Sequence, residues 1–262
     1  MGDAYGPGSR ASRGANLCCP HPTGFDPYRG ARMSLVLSLF PGIGLLDQAF
    51  EEEGFCVVRG PDLLWGGDVC NFHPPVGKFA GIIGGPPCQS WSGLGNTNRA
   101  RWGDDCMMPD RIPEFARCVN EAKPTWFLME NVPQAPAPDC PDYYIQQRIH
   151  NNRWCGGEQN RERNFTFGLR VPIRAFHIES VALESVDYAP VVLSSGQAGN
   201  GGPRRSIEEM ARAQGVDPAR FDHSPFTVTE LRRAIANGVP LPMGRAVARA
   251  VKATLETVRM AA

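Results

Sequence analysis

Short apolar runs alternate with amphipathic stretches along the first half of the chain. Strands are predicted by four apolar runs, SLVLSLF (34–40), FCVV (55–58), FAGIIGG (79–85) and TWFLMENV (125–132). Helices are predicted by LLDQAFEEEG, which ends at Gly54, and by RIPEFARCVNEA before the last of these strands. Apolar strands that alternate with helices form a parallel sheet with helices packed on it. The pattern therefore predicts an α/β fold.

The two ends of the chain differ in pattern. Residues 1–32 contain few aliphatic residues and many Gly, Pro, Ser and Arg, so we predict a disordered leader there, with Met33 at the start of the folded unit. Near the C-terminus, SIEEMARAQG, VTELRRAIANG and PMGRAVARAVKATLETV are amphipathic and predict three helices. We find no internal repeat.

Length and cysteine usage limit the class of protein. The 262 residues suffice for one sizeable core. The nine cysteines have no regular spacing, no apolar stretch approaches the length of a membrane span, and the N-terminus lacks the features of a secretory signal. We therefore expect a cytoplasmic protein with no membrane partner. The CCPH tetrapeptide has no second pair at ligand spacing, so we predict no metal site.

Charge is distributed unevenly, although 27 basic and 27 acidic side chains cancel over the whole chain. Residues 148–262 carry 16 Lys and Arg against 11 Asp and Glu, and 15 of those 16 are arginine. Arginine favours bidentate contacts to phosphate groups or base edges. A solvated basic face is the alternative interpretation.

Polar and glycine residues follow the predicted strands. They are Gly42, Gly44, Asp62, Cys88, Glu130 and Asn131. Ligands of parallel sheets bind at the carboxyl ends of the strands, so these residues mark a candidate site. The loop GGPPCQSWSG places a thiol behind two prolines, where the chain turns sharply. A buried structural thiol is the alternative for Cys88.

Five motifs occur in a characteristic order between Leu35 and Val251. They are LSLFPGIG, GGPPCQSWS, MENV, QNRER, and RRSIEEMARAQG followed by NGVP. In these motifs the chain resembles the cytosine carbon-5 DNA methyltransferases. The resemblance implies a doubly wound, Rossmann-like S-adenosylmethionine-dependent methyltransferase fold with a small C-terminal recognition lobe. It also implies a catalytic domain at 33–163, a short target-recognition region at 164–203, and helices at 204–262 that complete the catalytic domain.

The resemblance assigns the chemistry to residues of the loop, MENV and QNRER motifs. Cys88 would add to carbon 6 of cytosine, because carbon 5 is a poor nucleophile until that addition occurs. We expect an electropositive surrounding to favour the thiolate. Glu130 would act as the acid at N3 and the amino group. Arg163 would contact the base oxygen, Arg161 would hold the loop or a phosphate, and Asn131 would order the Glu130 region.

The cofactor implied by the resemblance is S-adenosylmethionine. Phe40 would lie against its adenine, and Gly42 and Gly44 near its methionine portion, with core packing as the alternative for Phe40. Asp62 would hold the ribose hydroxyls and Asp68 the adenine amino group. The remaining cofactor contacts would be Pro87 in the loop and Asn237, which would close the site.

The partner implied by the resemblance is duplex DNA, from which the target base is flipped, and we expect a monomer. Its contacts would come from Gln89, Ser92, Gln159, Arg170 and Arg174. The region available for recognition is short, so we predict a target of about two to four base pairs. A relative that methylates transfer RNA and a non-catalytic nucleic-acid-binding module are the alternatives.

The chain departs from the family pattern at three places. Ser38 stands where the family usually has Asp before the Leu-Phe of the first motif, and Ala80 stands near another missing Asp. The spacing from Asp62 to Asp68 is short, which predicts that a helix has been lost between the second and third strands.

Overall fold

The structure is a computed structural model, and it describes residues 35–91, 109–172, 175–182, 187–197 and 202–261. The predicted leader therefore lies outside the described residues, as do Ser92 and Arg174. The strands are β1 (Leu35–Leu39), β2 (Cys56–Arg59), β3 (Gly81–Gly84), β4 (Trp126–Asn131), β5 (Tyr144–Asn151) and β6 (Glu162–Leu169). The α-helices within these ranges are α1 (Leu45–Glu52), α2 (Ile112–Ala122), α3 (Ile207–Ala213), α4 (Val228–Asn237) and α5 (Leu241–Ala261).

The strands form one six-stranded sheet in the order β2-β1-β3-β4-β6-β5. The first four strands of this order pair in parallel, whereas β6 is antiparallel to both β4 and β5. The four strands predicted from apolar runs are confirmed, and so is the α/β class. The antiparallel pair at one edge of the sheet was not predicted. Between β2 and β3 the described chain forms only two short 3₁₀ turns, as the short spacing from Asp62 to Asp68 indicates.

Two apolar cores, one on each face of the sheet, make the fold doubly wound. Side chains of a strand alternate between faces, so Trp126 and Leu128 of β4 belong to one core and Phe127 and Met129 to the other. Helices α1 and α5 cover the first core, and α2 covers the second. Helices α1 and α5 approach closely at Gly244, where an added Cβ would lie 2.9 Å from the Cβ of Ala49.

The C-terminal helices pack against the turn that follows β1. A third apolar cluster joins Ile43 of that turn and Leu45 at the start of α1 to residues of the C-terminal helices. These are Met210 of α3 and Leu231 and Ile235 of α4. Capping boxes begin both helices, formed by Ser206 with Glu209 and by Thr227 with Glu230. The last part of the chain therefore returns to the first strand of the sheet.

The boundary predicted between residues 163 and 164 lies inside β6. Residues 164–169 of the proposed recognition region pair with β4 in the main sheet. In the described residues from 170 to 206 there is no helix, and the only β pairing consists of the isolated bridges Gln159 to Ala189 and Gln197 to Arg204. The part of the chain that lies outside the sheet is therefore shorter than predicted.

Candidate active site

The carboxyl ends of β1 to β4 and the start of β6 meet at one edge of the sheet. An antiparallel strand brings its first residues to the edge where its parallel neighbours end, so QNRER joins the strand-end loops there. These segments line a cavity of about 1110 Å³. The predicted site residues that line it are Phe40, Gly42, Asp62, Asp68, Pro87, Cys88, Gln89, Glu130, Asn131, Arg161, Arg163 and Asn237.

The glycine turn after β1 has an unusual backbone. Phe40, Gly42 and Gly44 have φ values of 55°, 55° and 75°, in the left-handed region that L side chains rarely adopt. Gly42 N–H donates to Asp62 Oδ2 at 2.7 Å, and Asp62 Oδ1 accepts from Leu64 N–H at 2.8 Å. The carboxylate that was predicted to hold ribose hydroxyls therefore also holds the turn in place.

Gly44 does not line the cavity, because it faces the guanidinium of Arg59. A Cβ at Gly44 would lie 2.6 Å from Arg59 Nη2, so only glycine leaves room for that side chain. Arg59 Nε donates to Asp47 Oδ2 at 3.0 Å, and Ser38 Oγ donates to Asp47 Oδ1 at 2.5 Å. Burial raises the pKa of Asp47, whereas Ser38 and Arg59 oppose that shift. Ser38, the departure from the family pattern, is thus a hydrogen-bond donor to a buried carboxyl.

Asp68 and Asn237 lie on other parts of the same wall. Asp68 accepts a hydrogen bond from Cys70 N–H at 3.0 Å, and this bond lowers the pKa of the carboxyl. Asn237 ends α4 and borders the cavity. Both residues line the cavity, and their contacts to a cofactor stay predictions.

Cys88 lies on the loop between β3 and α2, and Asn131 fixes that loop to β4. Asn131 Nδ2 donates to Pro86 O at 3.1 Å, and Asn131 Oδ1 accepts from Val132 N–H at 2.8 Å. Trp91 N–H donates to Cys88 O at 2.9 Å. Asn131 is buried and acts on the loop through the backbone, so it is a positioning residue.

Glu130 and Arg163 form an ion pair in the cavity wall. Arg163 Nε lies 2.8 Å from Glu130 Oε1, and the two side chains are only 14% and 9% exposed. Arg163 Nη1 also donates to Glu162 O at 2.7 Å, which orients the guanidinium. Gly85 leaves space beside the carboxylate, because a Cβ there would lie 3.0 Å from Glu130 Oε2.

The electrostatics of Cys88 differ from the expectation of an electropositive surrounding that favours the thiolate. Burial raises the pKa of the Cys88 thiol, and the charge of Glu130 adds to that shift. Arg163 and Arg161 oppose it without overcoming it. Desolvation of the thiolate is the largest cause of the raised pKa, and it outweighs the two nearby cations.

Arg161 holds the junction between α4 and α5. Its Nη2 donates to Ala236 O at 2.9 Å and to Gly238 O at 3.4 Å, whereas its buried Nε has no hydrogen-bond partner. Burial, and to a smaller extent the charge of Arg163, lowers the pKa of Arg161. The cationic side chain meets carbonyl groups at a helix C-terminus, where the helix dipole favours positive charge. Arg161 was predicted to hold the loop or a phosphate, and its side-chain hydrogen bonds instead join it to the α4–α5 junction.

Gln159 is not at the DNA surface, where it was predicted. Its side chain is fully buried, and its Nε2 donates to Ala213 O and to Gln214 Oε1, both at 2.8 Å. Gln214 in turn donates to Ile235 O at 2.6 Å and to Gly238 O at 3.2 Å. The two glutamines therefore join QNRER to α3 and to the α4–α5 junction. Gln214 was not among the predicted site residues. The only feature of the sequence that could have indicated a role for it is its position in the Arg-rich motif.

Arg170 was predicted to contact DNA, and the structure places it far from Cys88. It follows β6, and its N–H donates to Thr125 O, just before the start of β4. Glu130 lies at the other end of β4, so Arg170 is at the opposite edge of the sheet. The prediction did not take account of the antiparallel direction of β6, which carries Arg170 to the edge opposite the cavity. Gln89 is exposed at the cavity, where a DNA contact is geometrically possible.

Within the described ranges, no three His, Cys, Asp or Glu side chains are grouped as a metal ion requires. No helix in that part of the chain is long and apolar enough to cross a membrane.

Solved structures share the fold of this chain. A candidate DNA modification methyltransferase encoded in an E. coli prophage has a TM-score of 0.61 and 16% sequence identity, covering 85% of this chain and 99% of that one. Entamoeba histolytica methyltransferase EhMeth has a TM-score of 0.57 and 13% identity, covering 86% and 99%. The fold is the Rossmann-like fold of S-adenosylmethionine-dependent methyltransferases.

Sequence similarity links part of the chain to one family within that class. Residues 71–192 match the family model of the C-5 cytosine-specific DNA methylases. The Type II methyltransferase M.NgoPII of Neisseria gonorrhoeae is 29% identical over 181 residues, which are 57% of this chain and 50% of that protein. M.MthTI of Methanothermobacter thermautotrophicus is 29% identical over 165 residues, 52% of this chain and 48% of that protein. These matches support the C-5 cytosine methyltransferase family, and the chain spans about half the length of these relatives.

Proposed function

We propose that the protein transfers a methyl group from S-adenosylmethionine to carbon 5 of a cytosine flipped out of duplex DNA. The observation that carries the proposal is the meeting of Cys88 with the Glu130–Arg163 pair in one cavity. The glycine turn borders the same cavity, so a cofactor and a base can lie together in it. A thiol, a carboxyl group and a guanidinium are the groups that activation of a cytosine ring requires.

The residues around the glycine turn suit S-adenosylmethionine. A Cβ at Gly42 would meet no atom within 4 Å, so the turn leaves open space beside its backbone. Asp62 and Asp68 offer carboxylate acceptors for hydroxyl and amino groups, and Phe40 offers a ring for stacking. The strained φ of Phe40 is typical of a ligand site. When bound, the cofactor supplies the electrophilic methyl group.

Cys88 begins the reaction with the base. Its thiol loses a proton, the sulfur bonds to carbon 6, and the electron pair of the 5,6 double bond moves toward carbon 5. Because burial raises the pKa of this thiol, little thiolate is present before the base enters. Arg163 and Arg161 supply the positive charge that favours its formation.

Glu130 and Arg163 hold the base during that addition. The carboxyl group is directed to N3 and the amino group of the ring, and the guanidinium to the ring carbonyl oxygen. Carbon 5 would then bond to the methyl group with this electron pair, and the electron pair of the broken sulfur–methyl bond would stay with the donor. Loss of the carbon 5 proton to solvent restores the 5,6 double bond and breaks the bond from sulfur to carbon 6, which returns the thiolate of Cys88.

A methyl-transfer assay tests the proposal directly. The protein is incubated with tritiated S-adenosylmethionine and either duplex DNA or transfer RNA, and the labelled base is identified. We expect 5-methylcytosine in DNA. Label in transfer RNA alone would replace the proposal with its RNA alternative, and no label in either would contradict enzymatic activity.

A trapping experiment tests the role of Cys88. Duplex DNA that contains 5-fluorocytosine retains the covalent adduct, because fluorine cannot leave carbon 5 as a proton does. We expect trapping by the wild type and by Cys56→Ala, which changes a partly exposed thiol at the start of β2. Cys88→Ala should not trap. Trapping by Cys88→Ala would show that another residue is the nucleophile.

A further inference from the structure

A second depression beside the cavity is lined by basic and hydroxyl side chains. This arginine pocket has a volume of about 280 Å³. Its lining residues are Ser194, Ser195, Arg204, Thr229, Arg232 and Arg233. Ser194, Ser195 and Arg233 also line the cavity that contains Cys88, so the pocket lies on the rim of that cavity.

The pocket is built by the turn at residues 194–197, which packs on the first half of α4. Gly196 has a φ of 80°, and a Cβ there would lie 2.9 Å from Arg232 Cδ. Arg205 N–H donates to Gly196 O at 2.8 Å, and Arg204 forms a β-bridge with Gln197. The glycine therefore lets the turn close over Arg232 and hold Arg204 beside it.

The cations of the pocket have no ion-pair partner in the described part of the protein, although the charge of Glu230 acts on Arg233. Among those residues, Arg204, Arg232 and Arg233 form no ion pair, and Arg232 Nε is buried without a hydrogen-bond partner. The nearest acid of α4, Glu230, uses Oε2 to accept from Thr227 N–H at 2.9 Å and Thr227 Oγ1 at 2.8 Å. Three guanidinium groups without an ion-pair partner offer charged hydrogen-bond donors to an anion.

We propose that the arginine pocket binds a backbone phosphate of the DNA strand that carries the target base. Guanidinium forks and hydroxyl groups are the donors that proteins direct to phosphate oxygens. A strand that delivers a base to Cys88 must cross the rim of the cavity, where the pocket lies. The inference rests on the proposed function, and it assigns a DNA contact to residues that the sequence analysis did not select.

The salt dependence of DNA binding tests this inference. Arg204→Gln and Arg233→Gln remove exposed cations, and Arg259→Gln removes an exposed arginine in the last turn of α5 as a matched control. Dissociation constants for a duplex are measured by fluorescence anisotropy between about 50 and about 200 mM salt. Each pocket variant should lower the slope of log Kd against log salt concentration by about 0.9. Affinity at the lower salt concentration should fall by about 10-fold.

Control measurements distinguish a failure of this inference from a failure of the proposed function. Arg259→Gln should bind as the wild type does, and cofactor affinity measured by calorimetry should be unchanged in all variants. Unchanged slopes in the pocket variants would overturn the inference while leaving the proposed function intact. Loss of cofactor affinity alone would show that the pocket holds the cofactor carboxylate, and loss confined to transfer RNA would show an RNA contact. A wild type that neither binds nor methylates duplex DNA would refute the proposed function itself.

Discussion

One group of polar residues faces the cavity and a second group lies buried in or behind its wall, and the two use their polar atoms differently. The first group lies at the strand ends and includes Cys88 and Glu130, which face the cavity beside Arg163. The second group is Gln159 and Gln214, which are fully buried and bonded to helix carbonyl groups and to each other. The difference separates residues that can react with a ligand from residues that hold the wall around it.

The QNRER motif contributes to both groups. Arg163 pairs with Glu130 in the cavity and belongs to the first group. Arg161, two residues earlier, donates to Ala236 O at the α4–α5 junction and joins Gln159 in the second group. One short motif therefore joins the chemistry of the strand ends to the helices that close the site. Substitutions in the two groups should affect different measurements.

The largest effect is expected from Glu130→Gln. The amide retains an acceptor for Arg163 but cannot donate a carboxyl proton to the base, so methyl transfer should fall by about 10²- to 10⁴-fold. The urea midpoint should change little. The control is Glu114→Gln, which alters a surface ion pair with Arg117. A single-turnover rate within about threefold of the wild type would exclude Glu130 as the acid.

The next effect is expected from Arg161→Met, and it concerns stability. The substitution leaves Ala236 O and Gly238 O without their cationic donor, so the free energy of unfolding should fall by about 2 to 3 kcal/mol. Urea denaturation measures the loss. Arg245→Met removes a surface pair with Glu52 and should cost less than about 1 kcal/mol. Equal losses in the two variants would contradict a structural role for Arg161.

A smaller effect concerns the pH dependence of Cys88 alkylation. Its pKa is raised, so the fraction of thiolate at a given pH is below that of a free thiol, and alkylation by iodoacetamide should still increase above about pH 8.5. Glu130→Gln removes a charge that raises the pKa and should move the profile to lower pH. Arg163→Gln removes a charge that lowers it and should move the profile to higher pH. Mass spectrometry of the Cys88 peptide gives the rates, and a plateau below about pH 8.5 would contradict the raised pKa.

The strand-end group could be predicted from the sequence because buried parallel strands are continuous apolar runs. Cys88 and Glu130 follow such runs directly, and the carboxyl ends of parallel strands meet at one edge. The strand β5 could not be found in this way. Its sequence YIQQRIHN mixes polar and apolar residues, because it lies at the edge of the sheet and is largely exposed.

The direction of β6 explains why Arg170, which was predicted to contact DNA, does not lie at the cavity as the strand-end residues do. A strand parallel to β4 would have brought Arg170 to the edge that contains Cys88, whereas the antiparallel strand brings Arg161 and Arg163 there instead. Pairing direction depends on contacts between distant segments and is not visible in the pattern of one strand. The burial of Gln159 likewise depends on a distant segment, because its partner Gln214, which directly follows α3, is 55 residues away in the chain.

The smallest effect is expected from Arg170→Gln, and it sharpens the contrast between the two edges of the sheet. Arg170 bonds to Thr125 O through its backbone N–H and not through its side chain, so the substitution leaves that hydrogen bond intact. The exposed side chain lies at the edge opposite the cavity, so kcat, KM for DNA and the sequence context of methylation should stay within about twofold of the wild type. Arg233→Gln, on the rim, should raise KM for DNA in the same assay while leaving the chemical step unchanged. Bisulfite sequencing of a methylated plasmid gives the sequence context, and steady-state kinetics give the constants. A loss of context in Arg170→Gln that exceeds the loss in Arg233→Gln would mean that DNA reaches the amino edge of the sheet, which would overturn the assignment of recognition to the cavity rim.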